Sequence, residues 1–421
     1  MGSSSTDTIA IDPSQLTEGL CVWLDMKWLD HPFLTNRVMV KTAQDIAILQ
    51  SLPLAGKLFY IPSRSTAEPL ELGTTQPPAL EAPDALTLER RKLAQARREK
   101  MRHVKDAAAR AERAWENAAS ATREALVSLA RSPRASGQQL SQLSRDTAAA
   151  IAQGPQALLH LLGTKEDHGP QFHALNVMTL CLLVGHKVGL SERELTDLAM
   201  AALAHDAGKA EIPQSILKNG HRKKHEEDHY RLHVKHSVQL ARESNAFNST
   251  AIAMIADHHE AADGSGWPQG KTDMSVGARI LAMTNRYDRL CTPEGNGVPP
   301  LMPAEALAHM LRQEVSRYDP HLLRTLISLL GVYPPGTVVR LNDGTLALSV
   351  SPGEQVTAPR VLLYHPDAPE TEPSMLDLSK ETDLKVVEAI RPTELAPEVL
   401  RWLNPQKRLA YYFSVDSKPQ G

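Results

Sequence analysis

From Ser141 to Gly331 the chain reads as helix after helix, and its apolar helical segments repeatedly begin or end on histidine. HALNVMTLCLLVG opens on His173, LTDLAMAALA runs into His205 and Asp206, HVKHSVQLARE carries His233 and His236, and AIAMIAD stops at His258 and His259. Imidazoles and a carboxylate at the margins of apolar helices sit where desolvation is costly. The chain must satisfy each of them separately in its core or bring them together, and that choice constrains the fold more than any other feature.

Each group alone admits a plain reading. Val177, Leu180, Cys181 and Val184 recur at helical spacing on the side of His173, so its imidazole points toward the core, and a lone core histidine is usually just a satisfied polar residue. His205 and Asp206 could form a buried hydrogen-bonded pair, or Asp206 could bridge two metals with its two oxygens. Either His233 or His236 could be the inward residue of its helix. Successive helical positions diverge by ~100°, so His258 and His259 suit two neighbouring cations better than chelation of one. Taken together, five imidazoles and an aspartate favour a metal centre over five independent core histidines.

No cysteine belongs to the set, which argues against a closed structural zinc site. Imidazole and carboxylate ligands suit two divalent ions, iron or manganese first and nickel or zinc next. Two such ions would activate a bridging water and clamp a phosphoryl oxygen, which makes phosphodiester hydrolysis the natural chemistry. Lys209, close behind the His-Asp pair, could neutralise charge on the scissile phosphate.

The rest of the 421 residues organises around this region, and the whole is mainly α. Residues 1–62 mix short strand-like runs (GLCVWLD, VMVKT, KLFYIP) with turn residues, as a small β-rich or α+β domain would. The Pro/Ser/Thr/Glu-rich stretch that follows is expected to be a linker over 63–85. A connector over 86–140 contains a long charged helix free of Pro and Gly from 86 to about 130, with a basic front part. Its bland reading is a solvated face; a homodimer or protein contact through it is the alternative. The helical metal domain spans 141–333, and 334–421 form a β appendage. There VVRLNDGTLALSV reads as a hairpin turning at Asn-Asp-Gly, with VLLYH and LAYYFSV as further strands.

A formal charge of -3 gives no strong nucleic-acid signal. No apolar run is long enough for a membrane span. Three scattered cysteines without CxxC spacing and a start without an apolar signal segment point to a cytoplasmic setting.

HDAGKAEIPQSIL, HHEAADGSGWP and RILAMTNRYDRL together resemble the HD-GYP domain, a branch of the HD phosphohydrolase superfamily that hydrolyses the bacterial messenger cyclic di-GMP. SQLTEGLCVWLDMKWLDHPF resembles the small domain found ahead of HD-GYP domains. The resemblance implies an all-helical domain that opens cyclic di-GMP, or a related nucleotide, to pGpG and, in some members, on to GMP. It implies His173, His205, Asp206, His233, His258 and His259 as metal ligands. Asp206 and Lys209 become the catalytic pair. Lys209 and the loop residues Gly266, Trp267 and Pro268 become the substrate contacts, with Trp267 in place of the family's tyrosine.

Two departures stand out. Asn285 occupies the position of a ligating aspartate, so this ligand is degenerate and the site loses a negative charge. CTPEGNGVPPLMP stands where the family carries an Arg and a Lys that grip phosphate. The expectation is a cyclic di-GMP phosphodiesterase with a weakened site. The alternative is a degenerate HD-GYP module acting as a regulatory, protein-binding or ligand-sensing domain, and a third reading keeps the metals and changes the phosphate substrate.

Overall fold

The computed structural model describes residues 8–26, 31, 33, 37–71, 116–153, 169–292, 299–364, 374–381 and 383–403. The predicted helix over 86–115 and the predicted strand LAYYFSV lie outside these residues. The chain divides into two compact units, the first built on the N-terminal residues and the second holding everything described from 116 onward except Ser374.

The N-terminal unit is an antiparallel sheet of four short strands, β1 (Ile9–Ala10), β2 (Cys21–Leu24), β3 (Arg37–Met39) and β4 (Leu58–Tyr60), in the order β1-β4-β2-β3. Val22 stands opposite both Val38 and Tyr60, which places three apolar side chains in one row across the sheet. Helix α1 (Ala43–Gln50) starts where Thr42 and Asp45 form a capping box, and Leu49 on its inner side joins Leu20, Leu24 and Leu58 in the core.

In the second unit, α2 (116–128) and α3 (Pro133–Gln153) are separated by a short turn. Proline at the first position of α3 has no N–H to waste and presets the helical φ. Helix α3 runs straight through the 140/141 boundary expected from sequence. Helix α4 (Pro170–Lys187) is buried continuously from Ala174 to Gly185, which makes it the central rod. It packs on α5 (Glu192–Ala204), whose start is fixed by a Ser191/Glu194 capping box. Gly185 permits the close crossing, since a Cβ there would meet Leu195 at 2.9 Å.

A 3₁₀ turn over Ala207–Glu211 and the one-turn α6 (Gln214–Leu217) lead to α7 (Lys224–Ser244), which ends on Asn245 in the left-handed conformation at φ 54°. Helices α8 (Ser249–Asp257) and α9 (Val276–Leu290) begin at Asn248 and Ser275, each accepting a backbone N–H in its cap. Helices α10 (Pro303–Gln313) and α11 (Pro320–Leu330) complete the bundle. Leu175, Leu182, Leu198, Ile255, Leu281 and Leu326 are fully buried in one continuous core, each contributing about 1.5–3 kcal/mol. Cys181 is among them, its Sγ 3.1 Å from Thr284 Oγ1, and burial pushes its thiol up to about 12, so it packs as an inert apolar side chain.

The hairpin predicted around Asn-Asp-Gly is present. Strands β5 (Val338–Leu341) and β6 (Leu346–Ser351) pair antiparallel, and Gly344 supplies the φ of 86° that the turn requires. With β7 (Arg360–Leu363), β8 (Ser374–Asp377) and β9 (Val386–Ile390) they form a five-stranded sheet ordered β8-β7-β6-β5-β9, followed by α12 (Pro397–Leu403). The mainly helical fold with small terminal sheets agrees with the sequence reading.

Candidate metal centre

The bundle brings the scattered histidines to one place. His205 closes α5 and Asp206 follows it into the 3₁₀ turn. His233 lies on the inner side of α7, while His258 and His259 follow the end of α8. His173 sits in the first turn of α4. The turn after Asp206 crosses α7 so tightly that a Cβ on Gly208 would lie 2.2 Å from the His233 carbonyl oxygen, and Gly208 N–H donates to Ser237 Oγ at 2.8 Å. His236, one turn beyond His233, is not fully buried and belongs to neither cluster of potential ligands.

Asp206 is the hub. Its Oδ2 lies 3.4 Å from His173 Nε2 and 3.3 Å from His205 Nε2, and its Oδ1 lies 3.4 Å from His233 Nε2 and 3.8 Å from His258 Nε2. The potential ligands fall into two sets that share this carboxylate: His173, His205 and Asp206 in one, and Asp206, His233, His258 and His259 in the other.

The hydrogen bonds fix which ring nitrogen faces inward. His205 Nδ1 bonds the Ala202 carbonyl at 2.7 Å, His233 Nδ1 the Tyr230 carbonyl at 2.7 Å, and His258 Nδ1 the Ile255 carbonyl at 2.6 Å. A carbonyl oxygen can only accept, so all three rings carry their proton on Nδ1 when neutral and turn the Nε2 lone pair toward Asp206. His173 is held differently, with Nδ1 2.7 Å from Asp288 Oδ2, and Asn176 Nδ2 donates to Asp288 Oδ1 at 3.0 Å.

His173 Nε2 and His205 Nε2 then face each other at 3.2 Å, and His259 Nε2 faces His233 Nε2 at the same separation. Between His173 and His205 this sets lone pair against lone pair unless a cation or proton intervenes. Among the described residues, Asp206 Oδ1, His258 Nε2 and Asn285 Oδ1 are buried without a hydrogen-bond partner. Such orphaned acceptors are costly in a closed core, and divalent ions fit them.

Charge states favour ligation. Burial pushes His233 down to about 4 despite Asp206, and burial together with neighbouring imidazoles holds His258 and His259 well below the ordinary range, so all three offer neutral rings. Burial works against ionised Asp206, yet Lys209 and His205 hold its carboxyl well below the usual carboxylate value. Burial also works against a charged His173, but Asp206 and Asp288 outweigh it and raise that ring above its ordinary value.

The glycine-rich loop is folded by Glu260: buried beside the loop, it accepts Gln269 N–H at 2.7 Å and Lys271 N–H at 3.1 Å. A Cβ on Gly266 would sit 2.4 Å from Glu260 Cα, so the close approach requires glycine there. Trp267 stacks on His259 with ring centroids 4.0 Å apart and planes 19° from parallel, and the Arg231 guanidinium lies over the same indole. Asp263 binds Ser265 and Ser316, which hold its carboxyl down to about 2, and so stabilises the loop base.

Beside the centre lies a cavity of about 280 Å³ whose wall includes His259, Trp267 and Asn285. In the sequence, CTPEGNGVPPLMP carries no cation where the family has an Arg and a Lys, which leaves any grip on phosphate to other residues. Residues 293–298 of that stretch lie outside the described residues, but the cavity wall carries Arg222, Arg286, Arg289 and Arg317 from other elements. Asp288, Asn176 and Tyr230 were also missed. Only the first had a signal, as the second aspartate of the matched motif.

Two families match along the chain. Residues 139–322 match the HD domain family, and residues 8–137 match a domain of unknown function, DUF3391. These residues carry an HD domain with a DUF3391 region ahead of it, and the resemblance to HD-GYP proteins read from the motifs is borne out. It is 26% identical over 374 residues to the cyclic di-GMP phosphodiesterase PA4108 of Pseudomonas aeruginosa, covering 84% of each chain. Over 149 residues it is 34% identical to the cyclic di-GMP phosphodiesterase response regulator RpfG of Xanthomonas campestris, covering 34% of this chain and 39% of that protein. It is 31% identical over 160 residues to a 3'3'-cGAMP-specific phosphodiesterase of Vibrio cholerae, covering 37% of this chain and 30% of that one. A solved structure, Bd1817, an HDG"Y"P protein from Bdellovibrio bacteriovorus, aligns with a TM-score of 0.46 at 18% identity over 76% of this chain and 97% of its own. Among the described residues no helix is long and apolar enough to cross a membrane.

Proposed function

We propose that the chain is a metal-dependent phosphodiesterase that hydrolyses cyclic di-GMP to pGpG, GMP or both. The observation that carries this reading is the position of Asp206, one oxygen facing His173 and His205 and the other facing His233 and His258. On this reading the first set holds one divalent ion and the second set, with His259, holds another; iron or manganese suits these donors first, nickel or zinc next. When bound, such a pair lowers the pKa of a coordinated water and neutralises phosphoryl oxygens.

The chain's own residues do the rest. The backbone carbonyls and Asp288 keep every anchored imidazole in one orientation, which removes reorganisation from the reaction. Lys209 Nζ rests on Asp206 Oδ2, keeping it ionised and placing a cation beside the position of the scissile phosphate. Gly266, Trp267 and Pro268 shape the wall against which substrate lies, with Trp267 pinning His259. Asn285 offers a neutral oxygen where a carboxylate would bind a divalent ion more strongly, so the second ion is held less tightly. Relatives named cyclic di-GMP phosphodiesterases, one of them matched over 84% of its length, support this substrate.

The test is hydrolysis of cyclic di-GMP by the purified chain reconstituted anaerobically with Fe(II) or Mn(II), with products separated by chromatography. Formation of pGpG or GMP that disappears in His205→Ala is the expected result. A protein that binds metal yet yields neither product would overturn the reading and leave a regulatory module.

A further inference from the structure

We infer that Arg286, braced by Glu314, reads the O6 and N7 edge of one guanine of the cyclic dinucleotide, so that the cavity beside the metal centre selects a base as well as a phosphate. This rests on the reading of the centre as a phosphodiesterase site. Arg286 follows Asn285 on α9 and lines the cavity that His259 and Trp267 also wall. With a phosphodiester at the centre, a base of the same ligand has this cavity beside it.

Glu314, at the end of α10, holds the guanidinium along one edge only. Nε lies 3.1 Å from both carboxylate oxygens and Nη2 lies 2.5 Å from Oε1, which is the side-on fork of an arginine–carboxylate pair. The brace is itself held: Tyr318 Oη donates to Glu314 Oε2 at 2.5 Å, and His309 Nε2 lies 3.2 Å from Oε1. The fork consumes Nε–H and one N–H of Nη2. The second N–H of Nη2 and both of Nη1 remain; among the described residues Nη1 has no hydrogen-bond partner, and the side chain is 39% exposed.

That remaining end presents two parallel donors, one from each terminal nitrogen. Guanine offers two adjacent acceptors, O6 and N7, which such an arginine edge matches, whereas adenine puts its N6 amino donor where guanine has O6. The charge balance points the same way. Glu314 neutralises Arg286, so the pair supplies direction rather than net positive charge, and a neutral base edge suits it better than an anion. Arg222 and Arg289 on the same wall are engaged elsewhere: Arg222 donates from Nε and Nη2 to the Ile216 and Leu217 carbonyls with Nη1 3.8 Å from Glu227, and Arg289 Nη1 donates to the Tyr230 hydroxyl.

The test titrates the metal-loaded full-length parent, Arg286→Met, Arg286→Lys and Glu314→Gln with cyclic di-GMP, 3'3'-cGAMP and cyclic di-AMP by calorimetry, beside metal content, circular dichroism and hydrolysis of cyclic di-GMP. The readout is the ratio of the cyclic di-AMP to the cyclic di-GMP dissociation constant, which a general loss of folded protein does not move. The parent is expected to favour cyclic di-GMP at least tenfold, with 3'3'-cGAMP close to it because its one guanine can take this place. Arg286→Met should weaken cyclic di-GMP binding about 10- to 100-fold and cyclic di-AMP binding far less, so the ratio falls by about that factor. Arg286→Lys keeps a cation beside Glu314 and guards against misfolding, yet it lacks the planar fork and should also lose the preference. Glu314→Gln, which leaves the arginine less firmly braced, should give a ratio between those of the parent and Arg286→Met. Equal weakening of both ligands in Arg286→Met would make the residue a phosphate contact and overturn the inference, as would an unchanged ratio or a parent that binds no cyclic dinucleotide. A parent that binds cyclic di-GMP without hydrolysing it, with the preference lost in both Arg286 variants, supports the guanine contact and refutes the phosphodiesterase reading; hydrolysis with the preference intact in those variants does the reverse.

Discussion

Asp288 holds His173 across 115 residues of sequence, its Oδ2 2.7 Å from Nδ1 of the ring, while Asn176 secures the other carboxylate oxygen. The contact fixes the ring so that Nε2 faces Asp206. A carboxylate behind a ligating imidazole also raises the basicity of the metal-facing nitrogen, and losing such a partner typically costs 10–100-fold in metal affinity. Asp288→Asn is therefore expected to weaken metal retention by roughly that factor while the helical fold survives. Competition with a chelator, read beside circular dichroism, checks it; equal metal affinity in both proteins would show that Asp288 only fills space.

Asn285 lies buried on α9 with its Oδ1 unpartnered, on the wall of the cavity that His259 shares. An aspartate here adds a buried negative charge close to an already ionised centre. Without metal that charge is uncompensated and lowers stability; with metal it becomes a ligand. Asn285→Asp should therefore unfold at a lower temperature than the parent after chelation and at a higher one when loaded. A drop in both states would place this side chain outside the metal's reach.

The helical domain and the histidines that meet inside it were legible because apolar periodicity and histidine position are local properties of the sequence. His205 and Asp206 announce themselves at the end of one apolar run, and the Asn-Asp-Gly turn announces its hairpin. What stayed hidden depends on residues far apart in the chain. Nothing near Asp288 points to His173, and the cavity's arginines come from separate elements between residues 222 and 317. The partners of Glu260 are backbone N–H groups, which have no sequence signature. Helix-forming residues on both sides of residue 140 hide that α3 runs through it.

Gly208 sets the distance between the two halves of the centre. Its missing side chain lets the turn carrying His205 and Asp206 press against the α7 backbone at His233 and Ser237. Gly208→Ala forces these segments apart, and a strained core insertion of this kind costs about 1–3 kcal/mol. The expected outcome is a lower unfolding temperature together with weaker metal retention, since His233 moves away from Asp206. Gly344→Ala is the comparison: it lies at a distant turn with nothing near its Cβ position, so its φ of 86° brings backbone strain without reaching the centre. A Gly208→Ala protein that retains metal as the parent does would remove this crossing from the account of the site.

Glu314 gives the bundle an acid-sensitive joint. Arg286 binds both of its oxygens, Tyr318 Oη donates at 2.5 Å and His309 Nε2 lies 3.2 Å away. Burial opposes the charge, but Arg286, Tyr318 and His309 bring the carboxyl from its ordinary value near 4.5 down to about 2. A carboxyl depressed in the folded state stabilises it fully above the unfolded value, and the contribution is lost as pH falls from about 4.5 to about 2. The shift corresponds to about 1–3 kcal/mol once partial solvent access is allowed for. Glu314→Gln should be less stable than the parent at pH 7, and the gap should narrow below about pH 4.5 and close only as pH falls through about 2. Denaturant titrations of both proteins at pH 7, 5 and 3 check this, and a gap that stays constant across that range would mean that the carboxylate's charge contributes nothing and only its shape matters.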